Sequence, residues 1–146
     1  MAITDRRAPF RFAYRTRVGF DETDAQGIVY YGRYMPYFDR ARVEYLRHLD
    51  LLGAPAGAPE FVMRAQHVEY MAPARFDDEL EVFARVRRIG HTSIIWSFQA
   101  VNVASAEHLV SAEQTLVYVD EVSRRPVRVS DRLRAAVSSF ERELEQ

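Results

Sequence analysis

Asp21, Glu22 and Asp24 crowd one short stretch of the chain, with Gly27 just behind them and a run of aromatics, Tyr30, Tyr31, Tyr34, Tyr37 and Phe38, following at once. A carboxylate placed there could attack an electrophilic carbon or take a proton from water. A helix starting just after it supplies the complementary chemistry. Its first N–H groups lack intrahelical partners and carry a positive partial charge, so they can hold an oxygen that becomes negative. Glycine lets the backbone turn tightly enough to present them. The same residues also have a purely local use, because most Asp residues before a helix are turn or cap residues. Later in the chain, Arg124, Arg125 and Arg128 gather planar donors suited to phosphate. With 20 basic residues present, most arginines are nevertheless expected to be simply solvated.

Periodicity predicts the elements that position these groups. Residues 1–9 read as a flexible N-terminal tail and residues 10–146 as a single domain. Phe10, Phe12, Tyr14, Thr16, Val18 and Phe20 alternate with Arg11, Arg15 and Arg17, which predicts a half-buried strand ending in the acidic turn. Tyr34, Tyr37, Phe38, Ala41, Tyr45 and Leu49 recur at helical spacing, with Pro36 in the first turn and Asp50 and Gly53 at the stop. Gly53–Pro59 is a loop by composition. Strands are expected at 61–70, 79–89, 93–103 and 108–119, the last three as an antiparallel meander. Ser130 is the expected cap of a C-terminal helix carrying Leu133, Val137, Phe140 and Leu144. The result is an α+β arrangement in which a sheet wraps one long helix, and an uncovered edge or face points to a dimer.

Composition narrows the chemistry. The 146 residues suffice for one domain with a substantial core, and 48% of them are hydrophobic. The formal net charge is −1 and all basic residues are arginine, so nothing in the total charge or in a basic helix favours nucleic acid. Absence of cysteine excludes disulfides, thiolate zinc sites and cysteine nucleophiles. No His pair has metal-ligand spacing with a third ligand in view, so no metal is expected. His48, His67 and His108 read as structural. No apolar run approaches the length of a membrane span and the first residues do not form a signal peptide, which leads to the expectation of a soluble, cytoplasmic protein.

The run from Asp21 to Tyr34, Asp-Glu-Thr-Asp-Ala-Gln-Gly-Ile-Val-Tyr-Tyr-Gly-Arg-Tyr, and then Phe38-Asp-Arg-Ala-Arg-Val-Glu-Tyr-Leu resemble the acyl-CoA thioesterases of the 4-hydroxybenzoyl-CoA thioesterase type. The resemblance continues in Tyr70-Met-Ala-Pro-Ala-Arg-Phe-Asp-Asp-Glu-Leu, in Gly90-His-Thr-Ser and in Arg125-Pro-Val-Arg-Val-Ser, from about Phe12 to about Leu133. It implies the hotdog fold: a five-stranded antiparallel sheet around a central helix, plus the C-terminal helix. It further implies a homodimer with a continuous sheet, further association into a homotetramer, and active sites shared by two chains.

The implied reaction is hydrolysis of an acyl-CoA thioester, with CoA as part of the substrate and no separate cofactor. By the match, Asp24 is the nucleophile or general base, Gly27 permits the turn, and the Tyr31 amide is the oxyanion donor. Asp21 is expected to cap the turn. Many members of the family carry His at the Tyr31 position, so less side-chain help is left for Asp24 here. Arg88, His91, Thr92 and Ser93 stand where relatives hold the nucleotide, with Arg124 and Arg125 as the second cluster. Glu44 is expected to pair with Arg42 or Arg47. Competing readings are a hotdog dehydratase, which needs a His base that this stretch lacks, a non-catalytic acyl-CoA or protein-binding module, and a thioesterase for acyl-carrier protein.

Overall fold

The computed structural model of the chain describes residues 3–53 and 60–145. Its six strands and two α-helices follow in the order β1 (Ile3–Arg7), β2 (Phe10–Arg17), α1 (Tyr34–His48), β3 (Glu60–Tyr70), β4 (Glu79–Ile89), β5 (Ser93–Asn102), β6 (His108–Val119) and α2 (Asp131–Phe140). The strands form one sheet in the order β1-β2-β4-β5-β6-β3, antiparallel throughout. The expected meander is the β4-β5-β6 centre of this sheet. The loop expected at Gly53–Pro59 lies, apart from Gly53, outside the described residues.

Helix α1 forms because its apolar residues fall on one broad stripe. Tyr34, Tyr37, Phe38, Ala41 and Tyr45 are all buried against the sheet. Phe38 stacks on Phe98 at 5.1 Å, and Tyr45 meets Trp96 edge-on at 4.9 Å. Fully burying such rings contributes about 1.5–3 kcal/mol each. Pro36 falls in the first turn, where its missing N–H costs nothing. At the other end Asp50 adopts a left-handed φ of 57°. This lets the Leu51 and Asp50 N–H groups return to the carbonyls of Leu46 and Arg47.

Alternation on β4 sends Leu80, Val82, Ala84 and Val86 into the core and Glu81, Phe83, Arg85 and Arg87 to the outer face. That outer face is not bare. Phe83 packs with Phe10, Ala13 and Val101 in a second buried cluster. Two expectations are corrected here. The sheet has six strands, not five, because Ile3–Arg7, expected as a loose tail, pairs with β2. Arg6 holds Glu81 at 2.5 Å and Arg7 donates to Gln99 at 2.5 Å, so the strand is tied down by partners far away in sequence. Phe10 leaves the face of Phe12 and joins the outer cluster, and Phe20 lies past the strand, 77% exposed, in a short 3-10 turn.

The C-terminal segment locks helix to sheet. Ser130 caps α2 by accepting from the Leu133 N–H at 3.2 Å. Beyond α2, the buried Glu141 carboxylate accepts from the Tyr45 hydroxyl at 2.5 Å and from the Val86 N–H at 2.9 Å. The Glu145 N–H bonds the Arg87 carbonyl, so this segment continues along β4 where β2 has ended. Among the described residues, no helix is long and apolar enough to cross a membrane.

Candidate active site

The acidic stretch folds as a tight hairpin. Thr23 bridges to Val29, the Asp24 N–H bonds the Ile28 carbonyl, and the Gly27 N–H returns to the Asp24 carbonyl. Gly27 sits at φ 76°, a left-handed value that favours glycine. The Asp24 carboxylate accepts from the Gln26 N–H at 2.8 Å and is exposed. It therefore does cap its own turn, while a second oxygen is left facing solvent. Glu22, not Asp21, makes the other local cap, accepting from the Gly19 N–H at 2.7 Å.

Backbone bonds anchor the hairpin to its neighbours. The Tyr30 N–H reaches the Glu22 carbonyl, and the Val29 N–H reaches that of Ala74 in the β3–β4 connection. Tyr31–Arg33 then form a 3-10 turn that leads directly into α1. Among the described residues, no acceptor meets the Tyr31 N–H. It is an orphan donor at the start of a helical segment, the geometry an oxyanion site needs.

A cleft of about 230 Å³ opens beside this turn, lined by Ile28, Val29, Tyr31, Tyr34, Tyr70 and the Met71–Pro73 connection. The Tyr70 ring packs 5.0 Å from that of Tyr31 and 5.8 Å from that of Tyr34. Burial pushes the Tyr34 hydroxyl up to about 12 and raises that of Tyr70 too, so both stay protonated and act as donors near neutrality. Tyr34, on the helix's apolar stripe, is thus both core and cleft lining, and Tyr70 joins it from the end of β3. An aromatic at the end of a strand, followed by Met-Ala-Pro, was the available signal.

The second group of candidates assembles elsewhere. The His91 carbonyl accepts from the Val129 N–H at 2.9 Å and from Arg134, and the Thr92 carbonyl from the Tyr118 N–H at 2.8 Å. Gly90 and Ser93 close the turn between them. The Val129 bond ties the end of the 120–129 loop to the β4–β5 turn, so Arg124, Arg125 and Arg128 lie at the same end of the sheet as His91, Thr92 and Ser93. Arg124 is engaged with Glu60 at 2.6 Å and Arg128 with Asp131 at 2.8 Å. Among the described residues, Arg88 and Arg125 are exposed and have no carboxylate partner.

The two groups do not meet within one chain. In the β3–β6 ladder, Tyr70 pairs with Val110 and Glu60 with Val119, while Ser93 pairs with Val117. The cleft lined by Tyr31 and Tyr70 thus sits at one end of β3 and the arginine group at the other. Across 11 residues of strand that is a separation of roughly 30 Å. β3 itself is an edge strand, exposed along nearly its whole length, with Phe61, Val62, Met63 and Tyr70 among the exposed apolar side chains.

A buried cation was also missed. Arg42 on α1 is 3% exposed, donates to Gln114 and to Asp39 at 2.9 Å, and lies over the rings of Phe61, Trp96 and Phe98 at 5.4–5.7 Å. Gln114 passes the contact on to Gln66 of β3 at 2.6 Å. Glu44 pairs with Arg47 at 3.3 Å.

Comparison with known proteins bears on what this arrangement does. Residues 18–137 match the thioesterase-like superfamily. The acyl-CoA thioester hydrolase YbgC of Escherichia coli O6:H1 is 38% identical over 117 residues, covering 79% of this chain and 87% of the relative. The acyl-CoA thioesterase YbgC of Haemophilus influenzae is 30% identical over 128 residues, 86% and 93% of the two chains. The solved 1,4-dihydroxy-2-naphthoyl-CoA thioesterase from Synechocystis shares the fold, with a TM-score of 0.81 at 19% identity over 88% of this chain and 96% of that one.

Proposed function

The chain belongs to the thioesterase-like superfamily, and from that premise we propose that it hydrolyses acyl-CoA thioesters at the Asp24–Tyr31 cleft. One observation carries the placement. The turn that presents the exposed Asp24 carboxylate is bonded, through the Asp24 N–H, to Ile28 of the aromatic cleft's lining, and the same lining includes Tyr31 with its unpartnered N–H at a helix start. The thioester carbonyl oxygen takes the Tyr31 N–H as its donor, and that bond strengthens as the oxygen becomes negative. Asp24 then acts on the carbonyl carbon in one of two ways. As nucleophile it adds, the carbon–sulfur bond breaks, the CoA thiolate leaves, and water cleaves the mixed anhydride. As general base it takes a proton from water while the hydroxide adds; the tetrahedral intermediate then collapses with cleavage of the carbon–sulfur bond and the proton passes to the departing CoA thiolate, with no acyl-enzyme.

The coenzyme needs cations, and among the described residues none that lines the cleft is one. Arg125, Arg88, His91, Thr92 and Ser93 supply donors at the far end of β3, with Arg124 released from Glu60 as a further one. A second copy paired antiparallel along β3 places the arginine end of one chain beside the cleft of the other. The exposed edge with its apolar side chains favours that pairing. The working unit is therefore a homodimer with two composite sites.

The test is release of free thiol from a panel of aliphatic, branched and aromatic acyl-CoAs. Asp24→Ala should lower kcat at least ~100-fold with an unchanged circular-dichroism spectrum. A rate equal to the parent's moves the chemistry away from Asp24. Absence of turnover across the whole panel favours a binding module.

A further inference from the structure

We propose that Tyr70 is a positioning residue that pins the turn carrying the Tyr31 N–H. Its hydroxyl donates to the Tyr31 carbonyl at 3.3 Å. That carbonyl already accepts the Tyr34 N–H, the bond that closes the 3-10 turn onto α1. Besides that bond, the turn is held by the Arg33 N–H on the Tyr30 carbonyl at 2.8 Å and by the Tyr30 N–H on the Glu22 carbonyl, and no side chain caps it. Its N-cap, Tyr30, makes no side-chain cap bond, nor does Arg33 at the start of α1. Gly32 lies within it, and glycine brings the least conformational restraint of any residue. Tyr31 itself is 58% exposed, so packing does not fix it from outside.

Tyr70 is placed to do what the turn cannot do for itself. It stands at the last position of β3, where the ladder to Val110 holds its backbone. The Met71 and Ala72 N–H groups, next in the chain, both bond the Leu109 carbonyl. Its ring is gripped between Tyr31 and Tyr34. The aromatic contacts orient the hydroxyl, and the hydroxyl fixes the carbonyl of Tyr31, a residue of the cleft's lining with an unpartnered N–H. A donor aimed before reaction costs no reorganisation when the oxyanion forms, so loosening it acts on the transition state more than on ground-state binding.

The proposal rests on the reading of the Tyr31 amide as oxyanion donor, and the experiment separates the two. Tyr70→Phe keeps the ring contacts and removes only the hydroxyl. Hydrogen–deuterium exchange of the Arg33 and Tyr34 amides, read by NMR, should accelerate about three- to tenfold while the remaining helical amides of α1 are unchanged. Against the best acyl-CoA of the panel, kcat should fall about three- to tenfold with KM held. Unaltered exchange at Arg33 and Tyr34 overturns the pin whatever the activity does. Accelerated exchange with parental kcat, or a raised KM at parental kcat, overturns the catalytic part. If the parent itself turns over no acyl-CoA, the functional reading fails, while the exchange measurement still decides whether Tyr70 holds the turn.

Discussion

Glu141 offers the sharpest quantitative test of how the fold is fastened. Its carboxylate is the acceptor for two buried donors, the Tyr45 hydroxyl and the Val86 N–H, from the central helix and from β4. Glu141→Ala leaves both unpaired. At about 1–3 kcal/mol for each orphaned buried group, the expected loss is about 4 kcal/mol. For a domain of this size that lowers Tm by about 10 °C. Glu141→Gln retains an oxygen in the accepting position and should cost less than about 1 kcal/mol. The pH dependence has a definite sign. Burial raises the Glu141 carboxyl, against the opposing pull of the Tyr45 hydroxyl, the Val86 N–H, Arg85 and Arg11. A raised carboxyl contributes stability that is fully present below the ordinary glutamate range and is lost as pH rises through the folded-state value. Glu141→Gln should therefore gain on the parent between acid and neutral pH. Urea unfolding of the three proteins at pH 4 to 8, at one fixed protomer concentration, measures all of this. An alanine variant as stable as the glutamine one would show that the C-terminal segment is not anchored through these two bonds. A glutamine variant that loses ground as pH rises would refute the burial argument.

Two further substitutions probe the core and the hairpin. Arg42→Met keeps volume among Phe61, Trp96 and Phe98 but orphans the Gln114 oxygen, so it should cost about 2 kcal/mol in urea unfolding, with Arg42→Met/Gln114→Leu recovering part of that loss. Gly27→Ala meets nothing within 4 Å of the added carbon, so only its φ of 76° resists the change. It should cost about 1–2 kcal/mol, and Gly27→Asn, which tolerates that conformation better, should cost measurably less.

The elements that could be read from sequence are those whose partners hardly mattered. The stripe from Tyr34 to Tyr45 and the alternation of Leu80 to Val86 are local patterns, and any core large enough would bury them. β1 was invisible for the opposite reason. Ile-Thr-Asp-Arg-Arg carries one large apolar side chain, and its stability comes from Glu81 and Gln99, more than 70 residues away. The sequence offers Arg42 only as a possible partner of Glu44, because nothing near it in sequence announces the Gln114 acceptor or the aromatic box. The Asp24 turn was half legible. Local chemistry accounts for its bond to the Gln26 N–H, but the cleft beside it is made by Tyr70 and Met71–Pro73 from another part of the chain.

The separation of the two candidate groups along β3 leads to a final test, one that does not depend on locating a bound ligand. Asp24 lies at the Tyr70 end and Arg125 at the Glu60 end of the same strand, and an extended phosphate-bearing coenzyme cannot use both from one chain without running the full length of β3. Take Asp24→Ala and Arg125→Glu, each nearly inactive alone at substrate well below KM. If a site draws Asp24 from one chain and Arg125 from its partner, a mixed dimer concentrates both lesions in one site and leaves the other intact. Random re-pairing makes about half the dimers mixed, with one good site of two, so activity should recover to about a quarter of the parent's. If each chain completes its own site, every site in the mixed dimer carries one lesion and the mixture shows only the mean of the two variants. Recovery that fails to appear after denaturation and joint refolding, with mixed dimers verified by mass spectrometry, would reject the composite site and return the coenzyme contacts to residues on the Asp24 side of the sheet.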